Sequence, residues 1–239
     1  MTGEAAATRL RLRRFAEADR RWHVTDVVLA FSLLVSLMLL QLALALAGAH
    51  PNEPLGLEAE AFRFFPTVLT AYAVLWFARM RGMTLGGFGF NRRRILLPAF
   101  FAWLVALFSG PLLVMLLGAF VAVAPALAGI DLRARFDVLL VPGLMLLGFS
   151  IVVVVPIIEE ITFRALLFRW LRQRWPLWPA ALLSAIVFAG FHLDAASLLP
   201  LTVTGLAFAW AYDRTGSLWA SITPHAGLNA LFFAARLLG

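Results

Sequence analysis

Six side chains able to move protons or hold charge stand in stretches otherwise suited to lipid. Glu159 and Glu160 follow an apolar run in IVVVVPIIEEITFRALLF, with Arg164 four positions after Glu160. His192 stands in FAGFHLD, one turn after Phe188, and TPHAGLNALF places His225 one turn before Asn229. An ionisable group at the centre of a membrane helix costs about 2.5–3.5 kcal/mol or more, so its default reading is functional. Glu160 and Arg164 share a helical face and can pair, whereas Glu159 points about 100° away and lacks that partner. The bland alternative is a buried structural ion pair with one spare acid, and a packing role for His192.

A carboxylate, two imidazoles, an amide and a guanidinium suit amide hydrolysis. Glu159 can act as general base on a water that His192 holds or polarises. His225 and Asn229 can donate hydrogen bonds to the oxyanion of the tetrahedral intermediate, and Arg164 would hold Glu160 and fix the helix geometry. A second chemistry is open to the same side chains. Glu159, His192 and His225 supply enough ligands for Zn²⁺, which lowers the pKa of bound water to about 7, although their spacing matches no compact zinc signature. Taking Arg174 and Arg214 as cytoplasmic ends, the three groups fall roughly 16–23 Å along their helices at about 1.5 Å per residue. Scattered packing residues have no reason to share a depth; a common polar site does.

The elements that must position these groups are membrane helices. Of 239 residues, 62% are hydrophobic and 14% charged, with a mean hydropathy of +0.90; a soluble domain holds about 45–50% apolar residues. Apolar stretches at 26–48, 64–78, 95–126, 138–171, 178–196, 198–213 and 217–238 predict an all-α polytopic transmembrane bundle of about seven spans. A break at Ser109-Gly110-Pro111 or at Pro156 would make eight. The expected organisation is a basic cytoplasmic N-terminal segment, 1–25, then a single transmembrane domain, 26–239, with the chemical motifs inside 150–232. The run after residue 22 is too long for a signal-peptide core and reads as a first span that stays.

The net charge is +7, carried by arginine without lysine. Arg9, Arg11, Arg13, Arg14, Arg20 and Arg21 precede the first span, and Arg79, Arg81, Arg92, Arg93 and Arg94 sit in the loop at 79–94. Arg169, Arg172 and Arg174 mark another such end. Glu53, Glu58 and Glu60 lie in the loop between these groups. This pattern is a membrane orientation with a cytoplasmic N-terminus, not a nucleic-acid surface. Trp170, Trp175 and Trp178 read as an interfacial aromatic belt. Asp194, two positions after His192, reads as a loop residue, with an orienting contact to that imidazole as the alternative. The absence of cysteine excludes disulfides and thiolate metal sites.

EEITFR at 159–164, FAGFH at 188–192 and HAGLN at 225–229 fit the patterns EExxxR, FxxxH and HxxxN. In this order across apolar helices they resemble the CAAX-protease and bacteriocin-processing (CPBP, also called Abi) family, which includes the type II CAAX prenyl endopeptidases. The resemblance covers roughly 150–232. It implies an intramembrane endopeptidase with Glu159 as catalytic glutamate, Glu160 and Arg164 completing its motif, His192 activating water, and His225 with Asn229 at the oxyanion. Family members are described both as metalloproteases and as metal-free glutamate proteases, and the second description is favoured here. The implied substrate is a membrane-anchored protein or peptide. Prenylated CAAX peptides are the eukaryotic precedent. The Arg-, Ala- and Leu-rich composition points to a bacterial inner membrane, where leader peptides and C-terminal sorting signals are the expected targets.

Other intramembrane hydrolases fit less well. There is no HExxH pair. Ser109-Gly110 lacks the preceding glycine of a serine nucleophile, and Asp213 lacks a second aspartate motif. From a different class, the runner-up is a non-enzymatic membrane protein, either a proton relay of a transporter-like kind or a bacteriocin-immunity binding protein.

Overall fold

The computed structural model describes residues 22–47, 65–90, 95–117 and 141–238. The arginines at 9–21 and at 92–94, the acidic loop, and the tail of the third apolar stretch lie outside them. Every regular element among the described residues is helical: α1 (Val24–Ala47), α2 (Phe65–Met80), the short α3 (Leu85–Phe88), α4 (Leu96–Leu117), α5 (141–172), α6 (Leu177–Gly190), α7 (Leu198–Thr215) and α8 (Trp219–Leu238). By length and apolar content, Val24–Leu44 and Met145–Arg172 are each long enough to cross a membrane; α2, α4 and α6 are shorter apolar helices. Large apolar side chains such as Leu39, Leu42, Leu96 and Met145 face outward. Exposure of this kind is a lipid-facing surface, because water would not tolerate so continuous an apolar rim. The protein is a helical membrane bundle.

Helix α5 runs through the middle, touching α2, α6, α7 and α8, while α1 packs on α2 and α4 packs on α7 and α8. The break at Ser109-Gly110-Pro111 that would have added an eighth span does not occur, since α4 continues through it. Ser109 instead donates to the Ala106 carbonyl at 2.8 Å and meets the Thr204 hydroxyl at 3.2 Å, joining α4 to α7. Nor does Pro156 end α5. It stands in the first turn of the α-helical piece Val155–Glu160, where a missing N–H costs least. On either side of that piece α5 opens into π-helical geometry, at Ser150–Val154 and Ile161–Phe168.

A π segment displaces carbonyls from their usual partners, and inside a bilayer each must find another. Ser184 of α6 donates to the Phe163 carbonyl at 3.1 Å, and Trp22 donates its indole N–H to the Ala165 carbonyl at 2.8 Å. Trp22 belongs to the segment expected to be a basic tail, yet it is buried against α5. The tightest crossing is α6 on α7. A Cβ at Gly205 would sit 2.9 Å from the Ala185 Cβ, so only glycine lets the two backbones approach this closely.

One end of the bundle gathers Arg79, Arg81, Arg169, Arg172, Arg174 and Arg214. Arg81 pairs with Asp26 at 3.0 Å, and Arg172 with Asp213 at 2.9 Å. Arg169 donates to the Gly87 carbonyl at 2.8 Å, and the Gly89 carbonyl accepts the Leu218 N–H at 2.7 Å. Gly89 does so at φ +120°, a conformation that side chains rarely adopt.

Candidate active site

Glu160 ends the α-helical piece of α5 and is fully buried. Its Oε1 receives the Arg164 Nη1 at 3.0 Å, the i,i+4 pairing that helical spacing predicts. The same oxygen lies 3.0 Å from His225 Nδ1 on α8. Arg164 is buried as deeply. Its Nη2 donates to the Gly205 carbonyl at 3.3 Å, and its guanidinium lies 4.4 Å from the centre of the Phe188 ring and 5.4 Å from that of Phe208. A desolvated guanidinium gains from such aromatic faces. These contacts compensate two charges that would otherwise be prohibitive in an apolar interior.

Glu159 turns to the other side. It is partly exposed, and its Oε2 stands 3.5 Å from His225 Nε2. One imidazole therefore lies between two neighbouring carboxylates, with Nδ1 toward Glu160 and Nε2 toward Glu159. The ring packs between Phe188 at 5.8 Å and Phe208 at 5.3 Å. Glu160 Oε1 forms an ion pair with Arg164, and a carboxylate can only accept, so the proton of the His225–Glu160 hydrogen bond sits on His225 Nδ1.

His192 lies in the turn that follows α6, one step beyond the helix that the sequence pattern extends through it. Its Nδ1 is 2.9 Å from the Phe188 carbonyl, with the ring edge-on to Phe188 at 4.8 Å. A carbonyl can only accept, so Nδ1 is the donor toward Phe188 and a neutral ring would have Nε2 as an acceptor. Asp194 is engaged elsewhere. It accepts the Ala196 N–H at 3.1 Å and the Ser197 hydroxyl, which is the loop role. The Ser197 hydroxyl first, and then the Ala196 N–H, hold its carboxyl below the usual carboxylate range.

Glu159 and His192 border one cavity of about 140 Å³. Its remaining lining comes from Phe163 and Phe191 and, from the first two helices, Leu34, Met38, Gln41, Pro66 and Thr67. Asn229 does not touch this lining. Its Nδ2 donates to the Ile151 carbonyl at 2.9 Å, in the first π segment of α5. That bond and the His225–Glu160 bond are two polar ties of α8 to α5.

The structure thus brings Glu159, Glu160, Arg164 and His225 into contact, sets His192 on the same cavity as Glu159, and fixes Asn229 one turn beyond His225. Sequence reasoning missed Gly205, Phe208 and Ile151, which act through a backbone carbonyl, a ring face and a π-turn carbonyl; none has a side-chain signature. Phe188 was visible only as the first letter of FxxxH. Among the described residues, no three His, Asp or Glu side chains are arranged to hold one metal ion.

Residues 141–231 match the family model described as type II CAAX prenyl endopeptidase Rce1-like. All six motif residues fall inside that match. A curated relative from Bacillus subtilis (strain 168), "Putative membrane peptidase YdiL", is 35% identical over 105 residues. The aligned region covers 44% of this chain and 42% of that relative's length. No solved structure matches the chain. Over residues 141–231 the chain is thus similar to the type II CAAX prenyl endopeptidases and to a bacterial membrane peptidase.

Proposed function

We propose that the chain is an endopeptidase that hydrolyses a peptide bond of a membrane-associated protein or peptide within the bilayer, with Glu159 as general base. The observation that carries this is the inequality of the two glutamates. Glu160 is fully buried with its Oε1 against Arg164 and His225, whereas Glu159 is partly exposed and borders a cavity together with His192. A base must be free to take a proton and must stand where water and substrate can reach it.

In this reading, His192 Nε2 accepts one hydrogen of the attacking water and Glu159 takes the other. The hydroxide oxygen bonds to the scissile carbonyl carbon, and the carbonyl oxygen becomes an oxyanion that Asn229 stabilises, joined by His225 Nε2 when that nitrogen also carries a proton. The C–N bond then breaks as Glu159 returns its proton to the leaving nitrogen, giving a carboxylic acid and an amine. Glu160 and Arg164 touch no substrate; they fix His225 from behind. The Asn229 amide has a second N–H beyond the one given to Ile151, so its tie to α5 orients it without exhausting it.

Residues 26–239 form one transmembrane domain in this proposal. The gathering of the arginines at one end supports a bacterial inner membrane with that end, and the N-terminus, in the cytoplasm. The test is cleavage of single-span peptides in liposomes by the parent, Glu159→Gln and Asn229→Ala. Loss of an oxyanion donor lowers kcat by about 10²–10³. Parent activity with both variants impaired sustains the protease. A proton flux that Glu159→Gln abolishes and Asn229→Ala spares, without cleavage, replaces it with a relay.

A further inference from the structure

The cavity bordered by Glu159 and His192 lies away from the Arg81 and Arg172 end. Gln41 lies fifteen residues beyond the Asp26–Arg81 pair along α1, and Thr67 fourteen residues before that pair along α2. Glu159 lies thirteen residues before Arg172 along α5, and His192 fifteen after Leu177, where α6 begins. At about 1.5 Å per residue, all four stand roughly 20 Å from the arginine-rich end. The hydrocarbon layer is about 30 Å thick, so they occupy its far half. Two of the lining positions are helix ends at that far side: Thr67 in the first turn of α2, and His192 in the turn that closes α6. The cavity therefore lies in the leaflet opposite the Arg81 and Arg172 end.

Its walls are mixed. Leu34, Met38, Phe163 and Phe191 are apolar, beside Gln41, Thr67, Glu159 and His192, around an open space of about 140 Å³. An apolar cavity of about 150 Å³ accommodates one benzene ring. The space beside the apolar residues matches a single leucine- or phenylalanine-sized side chain.

We propose that substrate reaches Glu159 from the leaflet opposite the arginine-rich face. With arginines cytoplasmic, the substrates are peptides presented in the extracytoplasmic leaflet, seating one apolar side chain beside the scissile bond. Lipid-modified tails displayed in the cytoplasmic leaflet are not among them. The side on which the cavity lies is independent of the reaction; the identification of its occupant as a substrate rests on the protease reading.

The cysteine-free sequence makes the test direct. Thr67→Cys and Ala195→Cys mark the side of the cavity, and Thr84→Cys marks the arginine end. Each is treated with a membrane-impermeant maleimide in intact bacterial cells and again after permeabilisation; labelling in detergent verifies that each thiol is reactive. The expected result is labelling of Thr67→Cys and Ala195→Cys in intact cells, and of Thr84→Cys only after permeabilisation. Labelling of all three from one side, or of Thr84→Cys alone in intact cells, overturns the proposal. Single-span peptides carrying Ala, Leu, Phe or S-farnesyl-cysteine at one position then compete with labelling of Thr67→Cys in the Glu159→Gln background. Protection by Leu and Phe peptides but not by the farnesylated one supports the occupant, and protection by the farnesylated peptide alone refutes it. Because protection needs no turnover, failure of the parent to cut any peptide counts against the protease reading and leaves the sidedness result standing.

Discussion

Glu159 and Glu160 are neighbours in the chain and opposites in the fold. Glu160 lies on the sealed side of the site, fully buried and held by Arg164 and His225. Glu159 lies on the open side, at a cavity whose walls come largely from other helices. One residue of helical rotation separates a carboxylate whose charge is neutralised from one whose charge is available. The sealed side is made almost wholly of α5, α7 and α8, and the open side borrows α1 and α2. In the proposed mechanism the doublet divides labour: one acid maintains the geometry against the cost of burial, and the other acts as the base.

The strongest way to break this contrast is on the sealed side. Arg164→Ala leaves Glu160 as an uncompensated buried charge, which typically costs about 3–5 kcal/mol. A large loss in denaturant or thermal unfolding of the detergent-solubilised protein is expected, with activity lost alongside. On the open side, Glu159→Gln should lower the cleavage rate by about 10²–10⁴ while the unfolding midpoint stays near that of the parent. Equal destabilisation by both substitutions would mean that the two sides are one structural unit.

Smaller effects sharpen the picture. Gly205→Ala forces a methyl against Ala185 and toward Arg164, which donates to the Gly205 carbonyl. Overpacking of this kind costs about 1–3 kcal/mol, so stability should fall without a change in peptide preference. Ser184→Ala strands the Phe163 carbonyl of the π segment and should cost about 1 kcal/mol. The smallest effect is expected at Asp194. Its carboxyl is held low by Ser197 and Ala196, so whatever it contributes is present above its ordinary range and is lost only as pH falls through the lowered value. Asp194→Ala should leave the pH–rate profile between about pH 5 and 8 unmoved. A shifted profile would make Asp194 an orienting partner of His192 instead of a loop residue.

Much of the site was legible in advance because its signals are local. The Glu160–Arg164 pair follows from four residues of helical spacing, and the cost of ionisable groups in apolar runs picked out His192, His225 and Asn229. The helix limits follow from hydropathy to within a few residues, since the length a span needs is fixed by the bilayer. Other features were illegible for equally physical reasons. The side chain of His225 meets Glu160 across 65 residues of sequence, and Asn229 meets Ile151 across 78. Nothing in a single chain's periodicity encodes such distances. The π segments that free the Ile151, Phe163 and Ala165 carbonyls depend on partners arriving from α8, α6 and Trp22.

By itself, the sequence determined that the chain is a helical membrane protein, which end gathers arginine, and which side chains are too costly to be idle. Each of these depends on composition or on spacing within one helix. Only the tertiary structure decided which glutamate is sealed and which is open, that His225 stands between them, and that the cavity is walled by α1 and α2 at the end away from the arginines. Those outcomes depend on how helices cross, and crossings are set by contacts such as Gly205 on Ala185 that join residues far apart in the chain.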